Sequence, residues 1–240
     1  MSIAGLTALG LLLPLLGTAL GAMGALALSQ KSSRWEKRML GFAAGVMLAA
    51  SVWSLLLPAI EFSEKAGKAA WLPSAVGFLL GAALLPLLRR CFPIEESLLF
   101  WSVTLHNIPE GMAVGVAFAA AAEDTRALAG AMALAFGIAV QNIPEGGVIA
   151  LPPALAGMKK SRACGLGILS GAVEPVCAAV TLGLATLVTA VLPWVLAVAA
   201  GCMYFVSVEN LLPAAVEEEG GTAAAAVGFA LMMLLDVALG

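Results

Sequence analysis

The sequence predicts an all-α membrane protein of eight transmembrane helices in a 3+2+3 inverted-repeat arrangement. Three observations predict it. The 240 residues are 62% hydrophobic and only 11% charged, where a soluble domain carries about 25% charged residues. The apolar residues gather into eight stretches, each near the roughly 20 residues that cross a bilayer. Two pairs of these stretches also echo each other in sequence. The net charge of −3 decides little, because placement outweighs the sum in a membrane protein. No basic patch points to nucleic acid. The four cysteines (Cys91, Cys164, Cys177, Cys202) are scattered without a Cys-x-x-Cys pair and read as small buried hydrophobes.

The predicted spans are roughly 3–28, 40–60, 71–88, 96–121, 126–150, 163–188, 191–216 and 222–239, within one polytopic domain, 1–240. The first could pass for a signal peptide, with Ala25-Leu26-Ala27 as its cleavage site. No Lys or Arg precedes it, however, and its length is that of a full span. Lys31, Arg34, Lys37 and Arg38 follow it, which predicts an uncleaved helix with the N-terminus outside. The inner loops are then 29–39, 89–95, 151–162 and 217–221. They hold Lys31, Arg34, Lys37, Arg38, Arg89, Arg90, Lys159, Lys160 and Arg162, against Lys65, Lys68 and Arg126 outside. That positive-inside bias places both termini outside. The run Glu217-Glu218-Glu219 reads as a solvated inner loop.

The first echo lies in spans four and five. His106-Asn107-Ile108-Pro109-Glu110-Gly111 is answered by Gln141-Asn142-Ile143-Pro144-Glu145-Gly146. The second pairs Ala43-Ala44-Gly45-Val46-Met47 and Ser51-Val52 of span two with Ala199-Ala200-Gly201-Cys202-Met203 and Ser207-Val208 of span seven. Both runs then reach Leu-Leu and a proline, Pro58 and Pro213. Spans two and seven cross in opposite senses, so the echo suggests an inverted repeat of spans 1–3 against 6–8. Spans four and five form a central pair, and repeat transporters bind cargo at such a mid-membrane interface.

A carboxylate at the centre of a membrane helix costs about 3 kcal/mol unless it is partnered. His106 and Glu110 share one helix face, as do Gln141 and Glu145, and Asn107 and Asn142 flank the same faces. Pro109 and Pro144 lack an N–H and push on the carbonyl four residues back, which bends a helix. Span six adds Glu174 beside Pro175. Three buried carboxylates repel one another without a cation, and His106, the only histidine, stands one turn from Glu110. Imidazole, carboxylate and amide oxygens suit Zn²⁺, Cd²⁺, Fe²⁺ or Mn²⁺ better than Mg²⁺ or K⁺. Taken singly, Asn107, Asn142 and Gln141 also fit a packing hydrogen bond. Met47 offers a thioether, but it is one of ten methionines. Glu209 toward the inner half of span seven, and Glu61 and Asp236 near outer ends, could line a path; interfacial solvation also fits Glu61 and Asp236. An intramembrane metalloprotease wants His-Glu-x-x-His, and here a lone His is followed by Asn, so the chain reads as no enzyme and carries no catalytic cofactor. A channel or transporter using the glutamates as proton or Na⁺ sites stands as the alternative on the residues alone.

At these residues the sequence resembles the ZIP (Zrt/Irt-like) divalent metal transporter family, in particular its bacterial GufA-like branch. The doubled Asn-x-Pro-Glu-Gly motif carries the resemblance, which covers nearly the whole chain. It implies uptake of a divalent metal, mainly zinc, across the inner membrane into the cytoplasm through a two-metal site. One position would use Met47, His106, Glu110, Gln141 and Glu145. Its neighbour would use Asn107, Glu110, Asn142, Glu145 and Glu174, with both central glutamates bridging. It further implies a homodimer, and a transport bundle of spans 1, 4, 5 and 6 moving against a scaffold of spans 2, 3, 7 and 8. Two features depart from the family pattern. Many members carry His at the place of Gln141, and many carry a His-rich loop where this chain has Arg89 to Glu96 without any His.

Overall fold

A computed structural model describes residues 2–27, 33–67, 69, 71–91, 98–121 and 125–239. Lys31, Lys68 and Glu96, most of the inner loop 89–95, and the side chains of Cys91, Arg89 and Arg126 lie outside what it describes. Every regular element among the described residues is helical: α1 (Ile3–Ala27), α2 (Ser33–Ala50), a π-helical segment (Ser51–Leu56), α3 (Leu57–Lys65), α4 (Trp71–Cys91), α5 (Leu98–Ala121) and α6 (Thr125–Leu155). There follow α7 (Lys160–Gly171), α8 (Val173–Val206), a second π-helical segment (Ser207–Leu211), α9 (Leu212–Val216) and α10 (Gly221–Leu239). Helices satisfy their own backbone groups, which lipid cannot do, so apolar runs of this length adopt them. Among the described residues, five stretches are long and apolar enough to cross a membrane: Ile3–Ala27, Arg34–Lys65, Ala127–Leu155, Lys160–Val216 and Gly221–Ala238.

The helix expected over 40–60 runs from Ser33 to Lys65, and its proline explains the π-helical insert. Pro58 cannot donate to the carbonyl of Ser54 and crowds it. The wider turn just before it passes the ladder on by a longer bond, from the Leu57 N–H to the Val52 carbonyl. The same device precedes Pro213, where the Leu212 N–H reaches the Ser207 carbonyl. The two inserts differ by one residue in length, which is why Ser51 matches Ser207 while the prolines fall one position out of step.

The boundary expected between 188 and 191 is helical. The breaks in this 57-residue stretch lie earlier, at a turn on Ala172 and at Leu184, whose φ −125° and ψ 24° leave the helical region. Pro175 accounts for the first, since it cannot donate to Gly171 and its ring crowds that carbonyl. Gly183 weakens the helix beside the second. By contrast, α5 and α6 continue through Pro109 and Pro144.

Packing follows the glycines. α1 lies along α6, α5 along the first part of α8, α2 along α10, and α4 along the second part of α8. A Cβ on Gly45 would strike the Ala225 carbonyl, and one on Gly228 the Phe42 carbonyl. At the matching places, Gly201 faces the Phe78 carbonyl and Gly81 the Val198 carbonyl. Between α1 and α6 the same close approach occurs at Gly17 on Ala139 and at Gly21 on Ile143. Without a hydrophobic drive between helices in lipid, such backbone approach supplies the contact. The acidic run at 217–219 is paired with α2 rather than merely solvated. Lys37 Nζ lies 2.6 Å from Glu217 Oε2, Arg34 lies 4.0 Å from Glu218, and Arg38 Nε donates to the Glu219 carbonyl at 3.4 Å. These pairs bring the start of α2 and the turn after α9 to one face.

Gly201→Ala is expected to destabilise the protein by about 1–3 kcal/mol through overpacking. Gly130→Ala, with nothing within 4 Å of its added methyl, is expected to be neutral or to stabilise by up to about 1 kcal/mol. Thermal unfolding of the two variants in detergent distinguishes a packed glycine seam from generic glycine tolerance.

Candidate metal centre

The two echoing motifs meet where α5 crosses α6. His106, Asn107 and Glu110 of α5, Gln141, Asn142 and Glu145 of α6, and Glu174 of α8 are all at most 7% exposed. The first turn of α8 reaches them because Gly111 lies against the Glu174 backbone. On the other side Gly146 lies against the backbone of Thr18 in α1. Neither glycine could carry a Cβ there without driving the helices apart.

Three of the side chains converge. His106 Nε2 lies 3.2 Å from Glu110 Oε1 and 3.2 Å from both carboxylate oxygens of Glu145. One ligand atom from each of the three lies within 4.8 Å of the others. Electron-pair donors this close repel unless a cation, either a proton or a metal ion, sits among them. Glu174 stands outside this cluster. Its Oε1 accepts a bond from Thr18 Oγ1 at 3.1 Å and its Oε2 one from Asn142 Nδ2 at 2.9 Å.

The asparagines are oriented by backbone carbonyls. Asn107 Nδ2 donates to the Ser170 carbonyl at 2.9 Å, and Asn142 Nδ2 also reaches the Pro14 carbonyl at 3.4 Å. Their Oδ1 atoms are left buried without a hydrogen-bond partner among the described residues, as is Glu110 Oε2. Buried acceptors are normally paired, so these oxygens are available to a cation. Gln141 turns its amide nitrogen, rather than its oxygen, to Glu110 Oε1 at 2.8 Å. Met47 is fully buried on α2, which packs against α6.

Two residues in this network carry no sequence motif of their own. Gln141 Nε2 lies 3.4 Å from Ser54 Oγ, which donates to Asp236 Oδ1 at 2.7 Å. A polar chain thus runs from the centre to Asp236 on α10. Ser54 follows Met47 by two helical turns, a signal that was present in the spacing. Thr18 is the other, and its signal was the 156-residue offset that separates it from Glu174, the same offset that relates Gly45 to Gly201. Of the remaining candidates, Glu61 is an exposed side chain paired with Lys65 at 3.6 Å, and Glu209 is exposed in the second π-helical segment.

An imidazole nitrogen and carboxylate oxygens lie buried together in the apolar helices of a multi-pass membrane protein, grouped closely enough to hold a metal ion. The donor types are those of a zinc site. Residues 91–236 match the family model described as ZIP zinc transporter. The chain is 36% identical to the zinc transporter GufA of Myxococcus xanthus, over 93% of this chain and 94% of that protein. It is 37% identical to the zinc transporter ZIPB of Bordetella bronchiseptica, over 93% and 78%. With the human zinc transporter ZIP11 the identity is 32%, over 93% and 94%. The chain belongs to the ZIP zinc transporter family.

Glu145→Gln keeps the shape of the side chain and removes the charge that faces His106. It is expected to lower Zn²⁺ affinity at least tenfold, about 1.4 kcal/mol, with helical content unchanged. Calorimetric titration of the purified variant against Zn²⁺, alongside circular dichroism, checks this.

Proposed function

We infer that the chain moves a divalent metal, zinc above all, across the inner membrane into the cytoplasm by alternating access at a binuclear site on α5, α6 and α8. The observation that carries this reading is the buried cluster of His106, Glu110 and Glu145 in a chain whose relatives are zinc transporters. One cation position takes His106, Glu110 and Glu145, with Met47 and Gln141 beside them. The second takes Asn107, Asn142 and Glu174 with the two shared glutamates. The unpaired Oδ1 atoms of both asparagines support the second position. The metal is cargo, so affinity must be strong enough to load and weak enough to release. Cd²⁺, Fe²⁺ and Mn²⁺ share enough of this donor chemistry to compete.

The 3+2+3 repeat of eight crossings is supported by contacts related by one offset. Asn107 donates to the Ser170 carbonyl and Asn142 to the Pro14 carbonyl, while Gly111 meets Glu174 and Gly146 meets Thr18. Pro14 and Ser170 are separated by the same 156 residues as Thr18 and Glu174. The pairing of α1 with α6 and of α5 with early α8 supports a moving bundle. The pairing of α2 with α10 and of α4 with late α8 supports a scaffold. Ion pairs joining the 29–39 and 217–221 loops agree with both loops facing the cytoplasm and both termini facing outward. On this topology Ser54 and Asp236 lie on the outer approach with Glu61 beyond them, and Glu209 lies toward the inner exit. The carrier works as a homodimer in the same reading.

Proteoliposomes loaded with a zinc-sensitive dye are expected to take up Zn²⁺ with the wild-type protein. Uptake is expected to be lost, to less than about a tenth, in His106→Ala and Glu110→Ala that still purify as folded protein. Wild-type rates in both variants reject the reading. Uptake of protons or Na⁺ without any divalent ion replaces it with a monovalent carrier.

A further inference from the structure

Glu174 is the one carboxylate of the proposed ligand set that stands apart from the cluster, and the structure shows what holds it there. Both its oxygens are engaged, one by the Thr18 hydroxyl at 3.1 Å and one by the Asn142 amide at 2.9 Å. Each oxygen keeps a second lone pair, but Glu174 stands outside the His106, Glu110 and Glu145 group. The carboxylate must therefore swing toward that group to share a cation, and the swing draws it off the two donors that hold it. Each of the two donors has the same second acceptor within reach. The Pro14 carbonyl lies 3.3 Å from Thr18 Oγ1 and 3.4 Å from Asn142 Nδ2. A hydroxyl has a single proton and serves one acceptor at a time, and a threonine hydroxyl within a helix can share the carbonyl four residues back with the backbone ladder. Thr18 can therefore turn from Glu174 to Pro14 without leaving a buried donor unsatisfied, which is the usual cost of releasing such a bond.

Thr18 itself is fixed. It is 1% exposed, its backbone lies against Gly146, and its Cβ and methyl lie against Gly171, where an added Cβ would sit 2.8 Å from either. Only its hydroxyl proton is free to choose. Its place in the fold matches that of Glu174, since each supplies the backbone on which a motif glycine of α5 or α6 rests. A strict repeat would put a second carboxylate here. The chain instead puts a hydroxyl that binds the one carboxylate present.

We propose that Thr18 is a positioning residue that holds Glu174 back from the second cation position and yields it, through the Pro14 carbonyl, as the second ion binds. Thr18 touches no cation in this scheme; it sets the affinity of one position and leaves the other alone. The proposal rests on the binuclear reading above.

The test is a calorimetric titration of purified protein in detergent with Zn²⁺, resolving a first and a second binding step. Thr18→Val deletes the hydroxyl at nearly constant shape, so the held-back arrangement loses a bond to a carboxylate while the ligated one loses only the weaker bond to the neutral Pro14 carbonyl. The second step is expected to tighten about fivefold, the margin by which a hydrogen bond to a charged group exceeds one to a neutral carbonyl, while the first is unchanged. Thr18→Ser keeps the hydroxyl and is expected to restore the wild-type second step. Thr18→Ala, which is smaller and cannot clash, repeats the measurement should the valine variant fail to fold. Two ions in the wild type, with a second step unchanged or weaker in both Thr18→Val and Thr18→Ala, overturn this proposal alone. A wild type that binds a single ion overturns it together with the binuclear reading.

Discussion

The structure depends on the mutual repulsion of carboxylates held where water does not screen them. Two unit charges 4 Å apart at an effective dielectric constant near 20 repel by about 4 kcal/mol. Glu110 and Glu145 face the same imidazole nitrogen at 3.2 Å, so both are committed to one small volume. Apolar packing does nothing to relieve that repulsion. A cation does, and a divalent one relieves both carboxylates at once. The surrounding donors are arranged accordingly. Gln141 holds one oxygen of Glu110 and leaves the other unpaired, and the asparagines spend their nitrogens on the Ser170 carbonyl and on Glu174 while their buried oxygens stay without a partner among the described residues. Each of these choices would waste hydrogen-bonding capacity in a merely packed core.

Such a centre needs four helices at close range, and the glycines provide it. Gly111 and Gly146 bring α8 and α1 to within backbone contact of the motif helices. That closeness lets Glu174 and Thr18 reach each other across 156 residues of sequence. The second set of glycines, Gly45, Gly81, Gly201 and Gly228, does the same work in the other four-helix group. Two groups, each zipped internally by backbone contact, meet at the seam between α2 and α6, which the proposed alternating access would use as its sliding surface. Met47 and the polar chain from Gln141 through Ser54 to Asp236 lie along that seam. The centre is therefore built on one body and edged by the other.

Much of this was legible in the residues. The paired motifs named His106, Glu110 and Glu145 because a charged residue recurring in an apolar run has few explanations other than use. The echo at Gly45 and Gly201 announced a repeated packing unit. What escaped was governed by backbone chemistry rather than by composition. The break at Ala172 follows from Pro175 acting four residues upstream, within a stretch that is apolar throughout. The π-helical inserts before Pro58 and Pro213 change the ladder without changing hydropathy. Thr18 escaped because a threonine in a membrane helix usually satisfies itself on the carbonyl one turn back, and here it does so only in part. The acidic run at 217–219 was read as solvated because its partners on α2 are distant in sequence.

A repeated fold naturally builds a two-fold site, and two identical positions would load and release ions together. This chain departs from symmetry at residues in and beside the candidate centre. His106 is answered by Gln141, which donates a hydrogen bond instead of a nitrogen lone pair. Glu174 is answered by Thr18, which binds the carboxylate instead of duplicating it. The backbone around both pairs stays matched, with Asn107 on Ser170 and Asn142 on Pro14, so the asymmetry is confined to side-chain chemistry. On the binuclear reading proposed above, one half of the centre has its donors gathered, and the other must rearrange before it can bind. For a carrier that is the useful difference. A site with all its donors preassembled at both positions would hold two dications too firmly to let either go, while a shared pair of glutamates with one reluctant neighbour lets the arrival of a second ion weaken the grip on the first.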